Sequence, residues 1–298
     1  MRILIAGSSG FLGTHLVRLL RAEGHEVVPL VRREPRSAGE VRWDPAAHAL
    51  DPTVVSTVDA VVNLAGANVA RPWTEAYKRK IRDSRVDTTA TLAAAIASAD
   101  RPPAAFLNAS AVGYYGDTGD RAVDETAPAG QDFLAEVCQD WEAAAAPAED
   151  AGVRVVRLRS GIPLDASGGL LKPMLVPFRL FLGARLGSGR QYLPWISLAD
   201  WLGAVRFLLG SDLGGPVNIT GPEPVTNAEL TRALAEVLHR PAVLAVPGFA
   251  IRLALREFSV QVLGSSRVLP GVLRGAGFEF QHTDVRSALR AAIDGRAG

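Results

Sequence analysis

Met1-Arg2-Ile3-Leu4-Ile5-Ala6-Gly7-Ser8-Ser9-Gly10-Phe11-Leu12-Gly13 decides the fold. Arg2–Ala6 is a short apolar run of the kind that forms a buried strand. Three glycines follow at a spacing of three, and Leu12, Leu16, Leu19 and Leu20 then share one helical face up to Gly24, which stands where a C-cap glycine belongs. GxxGxxG alone is compatible with any β–α turn. Between a strand and a helix it meets the context that a dinucleotide-binding loop requires: the glycines allow a tight turn and close backbone approach, and the helix N-terminus offers N–H groups to a pyrophosphate.

Working outward, Glu26–Val31 reads as a second strand weakened by Pro29, which has no N–H for a ladder, and Val41–Trp43 as a short third. Ala60–Ala65, Ala105–Ala109 and Val153–Leu158 are further apolar strands, with helices expected around Arg82–Ser98 and Phe133–Ala146. Such alternation predicts an α/β fold, a Rossmann-type doubly wound parallel sheet with helices on both faces, followed by a smaller α/β C-terminal substrate region. The expected division is a dinucleotide-binding domain over 1–165, with 197–220 returning to it, and a substrate region over 166–298. Within the latter, Leu170–Leu182 reads as an apolar helix, and 249–298 as a helical extra domain with a kinked loop at Gly275–Phe278.

The end of the second strand selects the cofactor. An NAD site usually places a carboxylate there for the ribose 2′-hydroxyl; this chain has Arg32-Arg33. Guanidinium groups favour a 2′-phosphate through charge-assisted bonds, so NADP(H) is the expected cofactor. Solvated loop arginines are the alternative, and Glu34 beside them keeps it open. Asn63-Leu64-Ala65-Gly66 ends the fourth strand with small residues that let a cofactor lie against the backbone; a plain tight strand exit is the other reading.

Composition excludes several classes. A net charge of +1, from 32 basic and 31 acidic residues, lacks the basic excess of a nucleic-acid binder. The lone Cys138 rules out an internal disulfide and fits a reducing compartment, and His15, His25, His48, His239 and His282 have no metal-ligand spacing. Gly7 and Gly10 interrupt the first apolar run too early for a signal peptide, and no stretch approaches the ~20 apolar residues of a membrane span. The sequence reads as a cytoplasmic protein with a small-molecule substrate, no metal, no nucleic-acid partner and no membrane partner.

Taken together, these residues resemble the extended short-chain dehydrogenase/reductases of the epimerase/dehydratase superfamily. They are most similar to an atypical NADP-binding branch carrying a small C-terminal domain of unknown function. The resemblance lies in Gly7–Gly13, Asn63–Gly66, Trp73-Thr74-Glu75 through Ser84-Arg85-Val86, Ser110–Gly116, Gly187-Ser188-Gly189-Arg190-Gln191 with Pro194-Trp195-Ile196, and the tail Arg267-Val268-Leu269-Pro270 with Gly275–Phe278. It implies cofactor contacts from Gly7, Ser9, Gly10, Phe11, Leu12 and Gly13, then from Arg32 and Arg33, and from Leu64, Ala65 and Gly66. It further implies that Lys80 and Arg85 approach the ribose and phosphates, that Pro163 faces the nicotinamide end, and that the protein forms a homodimer.

The same resemblance exposes a gap. The superfamily pairs a tyrosine with a lysine four residues later, the lysine's charge lowering the tyrosine pKa. The chain has only Lys78, Lys80 and Lys172, and Thr74, Ala76 and Gly168 stand four positions before them. Counting back from Glu142 puts Leu134 and Cys138 in the pair's places. Ser110, Tyr114 and Tyr115 are the substitute catalytic candidates, the serine to hold a carbonyl and one tyrosine to donate a proton. Counting back from Tyr115-Gly116 would instead put Ala111 at the hydroxyl position, and simple packing of Ser110 and Tyr115 is the competing reading. Cys138 reads as a small buried hydrophobe. Trp73, Arg190 and Trp195 are candidates for the substrate cleft, the tryptophans having an interdomain core as their alternative. An NADP(H)-dependent oxidoreductase on a small carbonyl or alcohol is the first expectation, a non-catalytic NADP(H)-binding sensor or scaffold the second, and a sugar-nucleotide epimerase or dehydratase the third.

Overall fold

The first apolar run forms β1 (Arg2–Ala6), and Ile3, Leu4, Ile5 and Ala6 are wholly buried in the computed structural model, which describes residues 1–295. After the glycines comes α1 (Phe11–Ala22), then β2 (Glu26–Val31), β3 (Val41–Arg42), α2 (Pro52–Val55), β4 (Ala60–Asn63), α3 (Glu75–Ala97) and β5 (Ala105–Ala111). A short β6 (Ala122–Val123) precedes α4 (Phe133–Ala143), α5 (Ala146–Asp150) and β7 (Arg154–Ser160). The chain then builds β8 (Ile162–Asp165), β9 (Gly168–Gly169), α6 (Leu171–Arg179), β10 (Ala184–Leu186), β11 (Tyr192–Leu193), β12 (Trp195–Ser197), α7 (Leu198–Leu209) and β13 (Gly215–Ile219). It ends with β14 (Val225–Thr226), α8 (Asn227–Leu238), β15 (Leu244–Val246), α9 (Gly248–Leu255), α10 (Ser259–Leu263), β16 (Arg267–Val268), α11 (Gly271–Gly275) and α12 (Val285–Asp294).

Seven strands make the main sheet in the order β13-β7-β5-β4-β1-β2-β3, every pair parallel. Alternation along β1 feeds two cores: Ile3 and Ile5 pack with Leu16, Leu20 and Trp201 on one face, Leu4 and Ala6 with Val55, Leu92 and Ile96 on the other. Strand order reverses beside β1, which opens a crevice at the carboxyl ends of β1 and β4. Pro29 is accommodated because Glu26 N–H bonds Met1 O on the β1 side, so the missing N–H of Pro29 points to the opposite edge. There β3 pairs only Leu30 and Val31. Among the described residues no helix is long and apolar enough to cross a membrane.

Several expectations change. Strand three stops at Arg42, and Trp43 is buried in the core. The helix expected from Arg82 begins at Glu75, because the Thr74 hydroxyl accepts from Tyr77 N–H and caps it. The single helix expected over Phe133–Ala146 is two, the second opening with Pro147 in its first turn. Helix α6 ends at Arg179 rather than Leu182, with Phe181 at a φ of 62°. The tail is not purely helical: β16 pairs in parallel with β6, Arg267 opposite Ala122.

Candidate cofactor and active site

Gly7 adopts a φ of 80°, and a Cβ there would stand 2.6 Å from the Leu64 carbonyl carbon across the crevice. A Cβ on Gly13 would lie 2.2 Å from the Gly7 oxygen. Both positions therefore exclude any side chain, and the loop closes through Gly10 N–H to Gly7 O at 3.0 Å. No side chain caps the first turn of α1, so its amide end faces the crevice. A cavity of about 1370 Å³ runs from Gly7, Ser8, Ser9 and Gly10 past Leu64, Ala65 and Gly66 to Trp43 and Pro45.

The cationic residues of this cavity divide into engaged and free. Arg33 is held by Glu40 through bonds of 2.7 and 2.8 Å, and Glu40 also accepts from Arg36 N–H. The Arg33 hydrogen bond, with that amide, holds the Glu40 carboxyl down at about 2. Glu34 is engaged by Arg42. Arg32 lines the cavity and, among the described residues, has no carboxylate partner; the same holds for Arg21, Arg71, Arg79 and Lys80. Amides, serine hydroxyls and free guanidinium groups are the donor set that a multiply phosphorylated nucleotide needs, and the side-chain-free cradle fits its pyrophosphate. Of the expected contacts, Gly7, Ser9, Gly10, Arg32, Arg33, Leu64, Ala65, Gly66 and Lys80 line the cavity. Phe11, Leu12 and Gly13 are not on its wall; Phe11 packs on Gly168 and Gly169, and Gly13 supports Gly7 from behind. Arg21, Arg71 and Arg79 were not anticipated, since isolated arginines in sequence carry no spacing signal.

Arg85 corrects another expectation. Its guanidinium donates to Ile81 O and Ala67 O, lies 5.0 Å from the Trp141 ring, and packs under Gly66. It steadies the loop from beneath rather than lining the cavity, and burial lowers its pKa. Asn63 is wholly buried and shapes the same strand exit: it donates to Asn108 Oδ1 at 2.8 Å and accepts from Ala65 N–H at 3.1 Å. Pro163 sits in β8, paired with β12 and away from this cavity.

At the expected catalytic end the side chains form a closed network. Ser110, at 3% exposure, donates to Glu142 Oε1 at 2.6 Å. Arg159 grips that carboxylate through Nε and Nη2, both at 2.8 Å, and its Nη1 donates to Tyr115 Oη at 3.0 Å. Tyr115 in turn donates to Asn218 Oδ1 at 2.7 Å. Burial pushes the Tyr115 phenol up to about 12, against the opposing pull of Arg159. Burial also disfavours the Arg159 charge, but Glu142 outweighs it and the guanidinium pKa rises. Ser110 and Tyr115 are thus committed to the interior in this structure, the packing alternative of the two readings. Tyr114 differs. It is half-buried, its ring lies 3.4 Å from the Arg159 guanidinium carbon, and its hydroxyl has no hydrogen-bond partner among the described residues. On α4, Leu134 packs 3.4 Å from the Cβ position of Gly113, and the Cys138 thiol lies 3.7 Å from Ala111 O. Burial raises that thiol to about 12.

Residues 3–160 match the model of the NAD dependent epimerase/dehydratase family. The chain belongs to that family. Residues 246–292 of this epimerase-family protein match a separate domain of unknown function, DUF1731. It is 48% identical over 290 residues to an epimerase family protein of Mycobacterium bovis, covering 96% of each chain. To the epimerase family protein SDR39U1 of Homo sapiens it is 36% identical, covering 98% of this chain and all of that one. The crystal structure of human SDR39U1 with NADPH superposes with a TM-score of 0.91 at 34% identity, covering 99% of both chains. A nucleoside-diphosphate sugar epimerase of Corynebacterium glutamicum gives a TM-score of 0.79 at 36% identity, over 98% of this chain and 57% of that one.

The substrate-cleft candidates of the epimerase-family protein are not brought together as expected. Trp73 is half-buried between Phe133 and Phe258, ring centres 5.1 and 5.7 Å away, and donates to Val69 O. Nearby Lys78 bridges Glu75 and Glu257, each at 2.8 Å, so the C-terminal segment is fastened over the loop that precedes α3. Trp195 takes its core alternative: at 2% exposure, with Nε1 on Glu223 O and Gly221 against its ring, it packs with Leu175, Phe178, Leu234 and Leu289 inside the second region. Arg190 is exposed on the glycine turn.

Proposed function

We propose that this epimerase-family protein binds NADP(H) in the large cavity and acts as an oxidoreductase on a small carbonyl or alcohol. The observation that carries the reading is Arg32, a cation lining the cavity with no carboxylate partner among the described residues, while Arg33 is consumed by Glu40. An acidic residue there would repel a 2′-phosphate; an unpaired guanidinium favours it by about 1.5–3 kcal/mol per charge-assisted bond. The amide end of α1 holds the pyrophosphate, and Leu64 and Ala65 form the wall along which the dinucleotide extends.

A bound nicotinamide dinucleotide supplies a hydride to a carbonyl carbon, or takes one from an alcohol. The chain must then deliver one proton to the carbonyl oxygen. Tyr114 is our candidate donor, because its hydroxyl is free while those of Ser110 and Tyr115 are spent internally. Arg159, anchored by Glu142, stacks on the Tyr114 ring and fixes its position. Proton return comes from solvent at this half-buried position.

Fluorescence titration with NADPH and NADH tests the cofactor; equal or tighter NADH binding refutes the Arg32 argument. Screening small carbonyl compounds for NADPH oxidation tests the activity, and a turnover rate unchanged by Tyr114→Phe removes that tyrosine from the reaction. A non-catalytic NADP(H)-binding sensor is the second reading, favoured by Leu134 and Cys138 at the expected tyrosine–lysine positions. Tight NADPH binding with no oxidation across the screen selects it.

A further inference from the structure

Away from the dinucleotide cavity, a second hollow of about 350 Å³ opens between α8 and β10, within the ordinary range for small ligands of roughly 300–1,000 Å³. Its walls carry Arg185, Arg232 and Arg240. None of the three has a carboxylate partner among the described residues, and the one acidic wall residue, Glu236, is taken by Arg286. Arg185 donates to Gly187 O and Ser188 O and Arg240 to His239 O, neutral acceptors that leave the positive charges of the hollow without a counter-charge among the described residues.

A second, independent observation concerns polar atoms rather than charge. Thr231, also on the wall and only 3% exposed, has a buried hydroxyl with no hydrogen-bond partner. The Nε of Arg240 is likewise buried and unpartnered. Buried donors without acceptors are uncommon in folded proteins, and two of the three among the described residues belong to side chains on this wall, the third being Arg267 Nε elsewhere. Arg240 meanwhile lies 4.7 Å from the ring of exposed Phe181, so the rim beside the cations is apolar.

We propose that this hollow is a second ligand site, for a small phosphate monoester with an apolar body. A carboxylate brings one negative charge, whereas a phosphate monoester brings about −1.5 to −2 and three acceptor oxygens, a closer match to three guanidinium groups and two orphaned donors. The site is independent of the dinucleotide reading: it uses none of the residues of the larger cavity.

Calorimetric titration of the full chain with phenyl phosphate at low salt tests it, using wild type, Arg232→Glu, Thr231→Val and Arg32→Glu. Arg232 is exposed and makes no hydrogen bond among the described residues, and valine is close in shape to threonine, so both variants keep the fold, which circular dichroism checks. The expected result is saturable one-site binding retained in Arg32→Glu, weakened about tenfold or more by Arg232→Glu, the loss of one charge-assisted contact, and weakened several-fold by Thr231→Val. Three results overturn the proposal: no saturable heat, binding abolished by Arg32→Glu but indifferent to Arg232→Glu, or benzoate binding as tightly as phenyl phosphate.

Discussion

Arg159 holds Glu142 through two bonds of 2.8 Å while its guanidinium carbon lies 3.4 Å from the centre of the Tyr114 ring. One buried ion pair therefore joins β7 to α4 and packs against the half-buried Tyr114. Removing only one partner leaves an unmatched charge in the interior, and such losses cost roughly 3–5 kcal/mol. Glu142→Ala is expected to lower the urea-unfolding free energy by about that amount, and Glu142→Leu with Arg159→Met to recover much of it. A single-site cost below about 1 kcal/mol would mean that the pair is solvated.

Alkaline pH addresses the same interior. Burial raises Tyr115 from 10.0 to about 12 and Cys138 from 9.0 to about 12. The folded protein keeps these two protons at pH values where the unfolded chain releases them. Their contribution to stability is whole below pH 9 and is lost as pH climbs from about 9 to about 12. Cys138→Ala and Tyr115→Phe should each flatten that decline in denaturant midpoint measured against pH. In the native protein near neutral pH, Cys138 should resist a thiol-reactive dye until unfolding exposes it.

Arg32 and Arg33 stand side by side in sequence and differ in consequence. Arg32→Glu is expected to weaken NADPH by about tenfold or more while sparing NADH, since it removes a phosphate contact and adds repulsion. Arg33→Ala frees Glu40 and loosens the turn, so it should weaken both dinucleotides modestly. Parallel fluorescence titrations separate the two; an Arg33 effect confined to NADPH would reverse the assignment.

Gly13→Ala tests the cradle without touching its charge. The added carbon meets the Gly7 oxygen at 2.2 Å, and overpacking of this kind costs about 1–3 kcal/mol. Thermal unfolding should shift downward and dinucleotide affinity should fall with it. An unchanged affinity would show that the loop moves freely to accept the methyl group.

Local grammar in the sequence was enough to expect the sheet. Residues 2–24 carry strand, glycine turn, helix and cap in order, and each signal depends on neighbours within a few positions. The closed network was hidden because Ser110, Glu142, Arg159 and Asn218 meet only after four elements pack together. The one available hint was charge inside an apolar strand: Arg157 and Arg159 interrupt Val155, Val156 and Leu158, and a buried arginine demands a partner. Arg32 and Arg33 looked equivalent for a similar reason, because Glu40 reaches Arg33 only once the intervening turn has formed. Within the mostly helical tail, Arg267–Val268 carries no strand signal of its own, because it becomes a strand only by pairing with Ala122–Val123, far away in sequence.

The main sheet is completed out of order. β13 seats against β7 only after β8–β12, α6 and α7, which build the first part of the second region and the helix between, have been made. On the ribosome, β7 therefore waits with one edge bare until Ile219 has emerged. Bare edges invite pairing with other nascent chains. Slow translation between Ser160 and Gly215 would prolong that vulnerable interval, so the yield of native protein should depend on how fast this stretch is synthesised as well as on how stable the finished fold is.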